Sequence, residues 1–145
     1  NARLVLVGDG PELKMLRSRL PDAIFAGTRR GEELATHFAS GDLFLFPSLT
    51  ETFGNVTLEA MASGLPVVAY NYAAAAQHLR HGTNGLLASY GQTDDFIAMG
   101  TEMAARHRQE PDKFRAMGRD ARVTAERHDW KCVVQDFESL LCSLV

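Results

Sequence analysis

DLFLFPSLTETFGNVTLEAMASGLPVVAY, Asp42–Tyr70, is the stretch on which the fold turns. Leu43–Phe46 is a short apolar run that stops at Pro47-Ser48, as a buried strand stops at its carboxyl end. Asn55–Ser63 then predicts a helix, with Gly54 before it and Gly64 placed to cap its end in the left-handed conformation. Val67–Tyr70 follows as a second continuous, β-branched run. Strand, helix, strand in so few residues is a βαβ unit, and its strands must run parallel.

The same alternation extends outward in both directions. Leu4–Val7 is a buried-type strand ending in Gly8-Asp9-Gly10-Pro11; Pro11 is placed to start a helix, and Leu13, Leu16 and Leu20 recur at helical spacing. Ala23–Ala26, closed by Gly27, is another strand, and Leu34 and Phe38 mark a helix that stops near Gly41. Beyond Tyr70 come one or two helical turns over Ala73–Leu79 and a strand at Gly85–Ala88. After Gly91 the strands cease. Helices are expected from about Thr93 to Arg108, from Pro111 to Arg127, and from the Asp129 cap to about Leu141. The fold class is therefore α/β, a Rossmann-like three-layer domain with a parallel sheet.

The 145 residues make one ordinary domain with 46% hydrophobic and 23% charged residues, a soluble globular balance. Fifteen basic side chains, twelve of them Arg, stand against eighteen acidic ones for a net charge of -3. No cationic footprint for nucleic acid follows from that balance. Cys132 and Cys142 fit no zinc or redox spacing, so a reduced, cytoplasmic chain is expected. The chain opens on Asn1-Ala2-Arg3 and enters a strand at once, which reads as a segment of something longer.

Parallel sheets collect ligands at the carboxyl ends of their strands. Three loops there stand out. Gly8-Asp9-Gly10 opens like a dinucleotide fingerprint, but Leu13 replaces the third glycine and no acidic residue stands at ribose distance, so a Rossmann cofactor loop fails. Thr28-Arg29-Arg30 offers two guanidiniums for a phosphate or a base, or is a solvated loop feeding a helix. In the third loop, free amides of Asn55, Val56 and Thr57 would open an anion site at a helix N-terminus, and Gly54 would let a ligand approach the backbone. Glu51 precedes those amides and Glu59 follows, about 12 Å apart if the span were fully helical. A carboxylate at each end of a bound diphosphate fits a nucleoside diphosphate sugar; alternatively, both are local structural acids. His78 and His81 read as surface histidines, and no metal site is expected.

This third block resembles the carboxyl-terminal segment of family 4 glycosyltransferases, retaining enzymes of the GT-B architecture. E-x7-E stands as Glu51–Glu59 and is followed by the Gly64 turn and the Pro66-Val67-Val68 strand. "LVLVGDGP", "AIFAG", "DLFLFPS", "HLRHGTNGLL" and a late aromatic helix accompany it in family order across the whole chain. The resemblance implies a nucleotide-sugar donor-binding domain over residues 1–145 of a hexosyltransferase, without cofactor. Glu51 would bind hydroxyls of the donor sugar and be the catalytic carboxylate; Glu59 would bind the ribose. Amides around Phe53, Gly54, Asn55 and Val56 would hold sugar and diphosphate, and Gly8–Gly10 with Thr28–Arg30 would border the base.

The donor would be GDP-mannose or a UDP-sugar, as in bacterial mannosyltransferases and their relatives. The family's first strand and helix, with an Arg–Lys phosphate clamp, and its acceptor domain are expected to lie outside this chain. The alternative is a non-catalytic nucleotide-sugar or phosphate-binding module. A missing central strand would leave two open edges, which are expected to meet directly or to be filled by another segment or chain. The terminal stripe of Trp130, Val133, Val134, Phe137, Leu140 and Leu141 packs on its own domain or on a neighbour; left bare, it implies self-association. A peripheral place on the inner face of the membrane is the further expectation for the longer enzyme.

Overall fold

The computed structural model describes residues 2–51 and 53–144, in two compact units, Asn1–His37 and Phe38–Val145. In the first, β1 (Val5–Val7), α1 (Leu13–Arg19) and β2 (Ile24–Gly27) form one βαβ unit that leads into α2 (Gly31–Ala39). Val5 stands opposite Ile24 and Leu6 opposite Phe25, with a register irregularity before Val7. Pro11 lies in the turn ahead of α1 and not at its first position, because the chain first closes a tight turn in which the Leu13 amide donates to the Gly10 carbonyl at 3.1 Å. Arg17 and Arg19 occupy the last turn, where cations suit the helix dipole. The Arg17 guanidinium also lies 4.8 Å from the centre of the Phe25 ring. No described residue of this unit is buried.

The second unit holds β3 (Phe44–Phe46), α3 (Asn55–Ala62), β4 (Val67–Tyr70), α4 (Ala73–His78) and β5 (Gly85–Ala88). Three helices follow: α5 (Thr93–Gln109), α6 (Pro111–Glu126) and α7 (Trp130–Ser143). The strands are parallel in the order β3-β4-β5. All four residues of β4 are buried, since it has a ladder on both edges and helices packed on it. Val68, Leu86, Met103, Phe114 and Met117 form the core, with Leu43, Phe96 and Met99 beside it. Two glycines are fixed by close approach: a Cβ at Gly85 would strike the Val67 carbonyl, and one at Gly118 the Gly64 carbonyl, where α6 crosses the end of α3.

Helix ends follow the sequence closely. Gly64, at φ +78°, closes α3: its amide donates to Met61 and the Leu65 amide to Ala60, satisfying carbonyls the helix leaves open. Pro111 is the first residue of α6. Gln92, the neighbour of Thr93, holds the cap position of α5, and Asp95 reaches back to accept the Ser89 amide at 2.6 Å. Asp129 caps α7 through the Cys132 amide at 2.8 Å, which holds its carboxyl below the usual range.

The strands are thus paired within each unit, β1 with β2 in the first and β3-β4-β5 in the second. The terminal stripe is left bare: no residue of α7 is buried, and Trp130 is 83% exposed.

Candidate functional site

The third loop runs from the carboxyl end of β3 into α3, and Thr52 within it lies outside the described residues. Gly54 takes a left-handed conformation, φ 74° and ψ 12°, as the cap of α3. Only glycine suits that backbone without strain. Packing demands it as well, because a Cβ there would collide with the Ala74 methyl. The missing Cβ is thus filled by the protein's own α4, and ligand approach is not what the glycine leaves room for.

The Glu51 carboxylate is divided. One oxygen accepts the Ala74 amide at 3.0 Å, tying the loop to the start of α4. The other is buried and finds no partner among the described residues; it would lie 3.1 Å from a Cβ on Gly54, just ahead of α3. A buried acceptor left unmatched is costly, and it is the arrangement a ligand hydroxyl would relieve.

At the start of α3 the Thr57 amide is already bonded to the Gly54 carbonyl at 3.1 Å. Of the expected trio of open amides, Thr57 is therefore spoken for, because the left-handed cap brings its carbonyl back over the first turn; Asn55 and Val56 stand at the start of the helix. Asn55 and Phe53 are exposed, Phe53 by 84%. Glu59 is exposed one turn further along. Only Asn55–Glu59 is helical, so the helix accounts for about 6 Å between the two acids and not about 12 Å.

The two other loops come together within the first unit. The Gly8 amide donates to the Gly27 carbonyl at 2.9 Å, which sets Gly8–Gly10 beside Thr28–Arg30 at the carboxyl ends of β1 and β2. Asp9 accepts the Gly10 amide at 2.8 Å. Arg29 reaches Glu33 at 3.5 Å beside a hollow of about 270 Å³ that Thr36 and His37 also line. A larger hollow, about 480 Å³, opens between α6 and the end of α3, ringed by Arg115, Arg119 and Arg122. It lies at the amino ends of β3 and β4, away from the carboxyl-end loops.

Of the two histidines expected at the surface, His81 lies there and His78 is half-buried. His78 packs edge-on against His128, ring centres 4.5 Å apart. Burial, and next the neighbouring His128, lower its pKa from the ordinary 6.5, with Glu51 acting in the opposite direction. The His81 ring accepts the Leu87 amide at 3.1 Å. No group of three metal-ligating side chains occurs among the described residues. Sequence reasoning missed Ala73, which carries a positive φ of 47° without being glycine, and Asn84. That side chain is 1% exposed and fully used: it accepts the Arg80 amide and donates to the His78 carbonyl and the Thr124 hydroxyl.

Comparison with known proteins gives concordant findings. The sequence model for the family described as "Glycosyl transferases group 1" matches residues 1–105. Sulfoquinovosyl transferase SQD2 of Arabidopsis thaliana is 38% identical over 137 residues, 90% of this chain and 26% of that protein. A GDP-mannose-dependent alpha-mannosyltransferase of Corynebacterium glutamicum is 49% identical over 85 residues, 59% of this chain and 21% of that one. Anabaena Alr3699/HepE, crystallised with UDP and glucose, superposes with a TM-score of 0.78 at 27% identity, covering 96% of this chain and 40% of that one. The chain therefore spans between 21% and 40% of the length of these relatives.

Proposed function

This chain belongs to the group 1 glycosyl transferases, and on that premise we propose that it is the nucleotide-sugar donor-binding domain of a retaining hexosyltransferase. The observation that carries the reading is the Glu51 carboxylate, with one oxygen spoken for and the other buried and unmatched beside Gly54. Shortly after it stand the amides of Asn55 and Val56, the first residues of α3.

In this reading the diphosphate lies on those amides, where the helix dipole favours negative charge. Glu51 accepts hydroxyls of the hexose, and Glu59 those of the ribose. Gly8–Gly10 and Thr28–Arg30 border the base. During transfer the bond from the anomeric carbon to the diphosphate breaks and an acceptor hydroxyl bonds to the same carbon with retention. Charge gathers on the departing diphosphate, and preorganised amides stabilise it there. The donor is GDP-mannose or a UDP-sugar, since relatives of this chain are named for the first and a related structure holds UDP and glucose.

The 145 residues alone bind donor without turnover, so a non-catalytic binding module describes the isolated chain, and their bare α7 stripe leads to self-association. No helix among the described residues is long and apolar enough to cross a membrane. A cytoplasmic place, peripheral to the inner face of the membrane in the longer enzyme, fits the reading. Calorimetric titration with GDP, UDP, GDP-mannose and UDP-glucose tests it. Saturable binding of one base series, weakened at least tenfold by Glu59→Ala, is the expected result. Binding of neither series, or binding indifferent to Glu59→Ala, contradicts it.

A further inference from the structure

The corner between β4 and α4 is built unusually tightly. The Asn71 amide bonds to the Ala88 carbonyl at 2.7 Å, and the Tyr72 amide turns straight back to the Tyr70 carbonyl at 2.8 Å. Tyr72 is extended, at φ -154°, and Ala73 then swings to φ 47°. Among the described residues it is the only one other than glycine with a positive φ. An alanine held there is strained, so the surroundings must enforce the turn.

What the turn delivers is Ala74, and Ala74 makes two contacts. Its amide holds one oxygen of Glu51 at 3.0 Å. Its methyl fills the place a Cβ would take on Gly54. Carboxylate, cap glycine and alanine methyl thus form a three-way contact between the β3–α3 loop and α4. That contact fixes where the free, buried oxygen of Glu51 stands relative to the first amides of α3. A hexose and its diphosphate would have to match that spacing together.

We propose that Ala74, presented by the left-handed Ala73, is a positioning residue that sets how well the site recognises the sugar as distinct from the nucleotide. The proposal rests on the donor reading above. Ala74 touches no ligand in it; it acts through Glu51. The affinity increment between a nucleotide and its sugar-bearing form should therefore depend on residue 74, whereas the affinity for the bare nucleotide should not.

The test is a double-mutant cycle measured by calorimetry on the 145-residue chain, using GDP against GDP-mannose and UDP against UDP-glucose. Ala74→Val presses on Gly54, and Ala74→Gly removes the methyl with little risk to folding, so the second variant keeps the test open if the first unfolds. In wild type the sugar nucleotide should bind tighter than the nucleotide. Ala74→Gly should shrink that ratio about three- to tenfold and change nucleotide affinity less than twofold. Combined with Glu51→Ala it should add nothing beyond Glu51→Ala alone. A ratio unchanged by either variant, additive effects with Glu51→Ala, or a wild-type ratio of one would overturn the proposal. Failure of every nucleotide to bind would remove the donor reading, and the proposal with it.

Discussion

Leu4–Val7 and Val67–Tyr70 are nearly interchangeable as sequence, continuous apolar runs rich in valine, yet they end in opposite states. In the first, Leu4, Val5 and Val7 are each at least 40% exposed; in the second every residue is buried. The difference lies in the neighbours. β4 has β3 and β5 on its two edges and α3 and α5 packed on it, whereas within its own unit β1 pairs with β2, the one other strand described there. An apolar run states a preference for burial, and whether it is met depends on partners the run does not encode. Stability should accordingly be concentrated in the second unit.

The strongest challenge to that contrast is a pair of truncations. Leu86→Ala in the core, where Leu86 is fully buried, should cost about 3–4 kcal/mol. Val5→Ala, at a position 44% exposed, should cost less than about 1 kcal/mol. Urea unfolding followed by circular dichroism would measure both, and equal costs would break the contrast. Asn84→Ala comes next, at about 2–3 kcal/mol by the same method, since it removes a buried side chain that holds the Arg80 amide, the His78 carbonyl and the Thr124 hydroxyl. A loss below about 0.5 kcal/mol would mean that water replaces the side chain.

Smaller in stability but visible in solution is the bare face of α7. Phe137→Glu and Leu140→Glu change residues that are 59% and 57% exposed. They should leave the unfolding midpoint nearly unmoved while shifting the chain toward monomer in sedimentation velocity. Unchanged self-association would place the contact elsewhere, with the open apolar surface of the first unit the alternative. The smallest effect expected is on pH dependence. Burial lowers the folded pKa of His78, so folding favours the neutral ring. That stability is complete above the unfolded value of 6.5 and declines as pH falls through 6.5 toward the folded pKa. His78→Gln should flatten part of the loss between pH 7 and 5; a steeper loss would give the wrong sign.

Much of the fold could be read from the chain because its signals are local. Gly64 after a helical run, Pro111 ahead of one and Asp129 before another each act within a few residues, and each helix end fell where they placed it. Glu51 was found by its spacing to Glu59. Its tie to Ala74 was not, because that contact joins residues 23 positions apart through a turn alanine does not advertise. The bare α7 shows the converse limit, for an amphipathic stripe names the face to be covered and is silent on what covers it. Asn84 and Gly118 were missed for a related reason: their partners, Thr124 and Gly64, lie on other elements.

A crystal structure of this chain soaked with whichever of GDP-mannose or UDP-glucose binds would test the proposed site most directly. The predicted result is a diphosphate on the Asn55 and Val56 amides, Glu59 at the ribose, and a hexose hydroxyl on the free oxygen of Glu51 with its Ala74 bond intact. A nucleotide seated elsewhere, for instance in the arginine-ringed hollow beside α6, would contradict it.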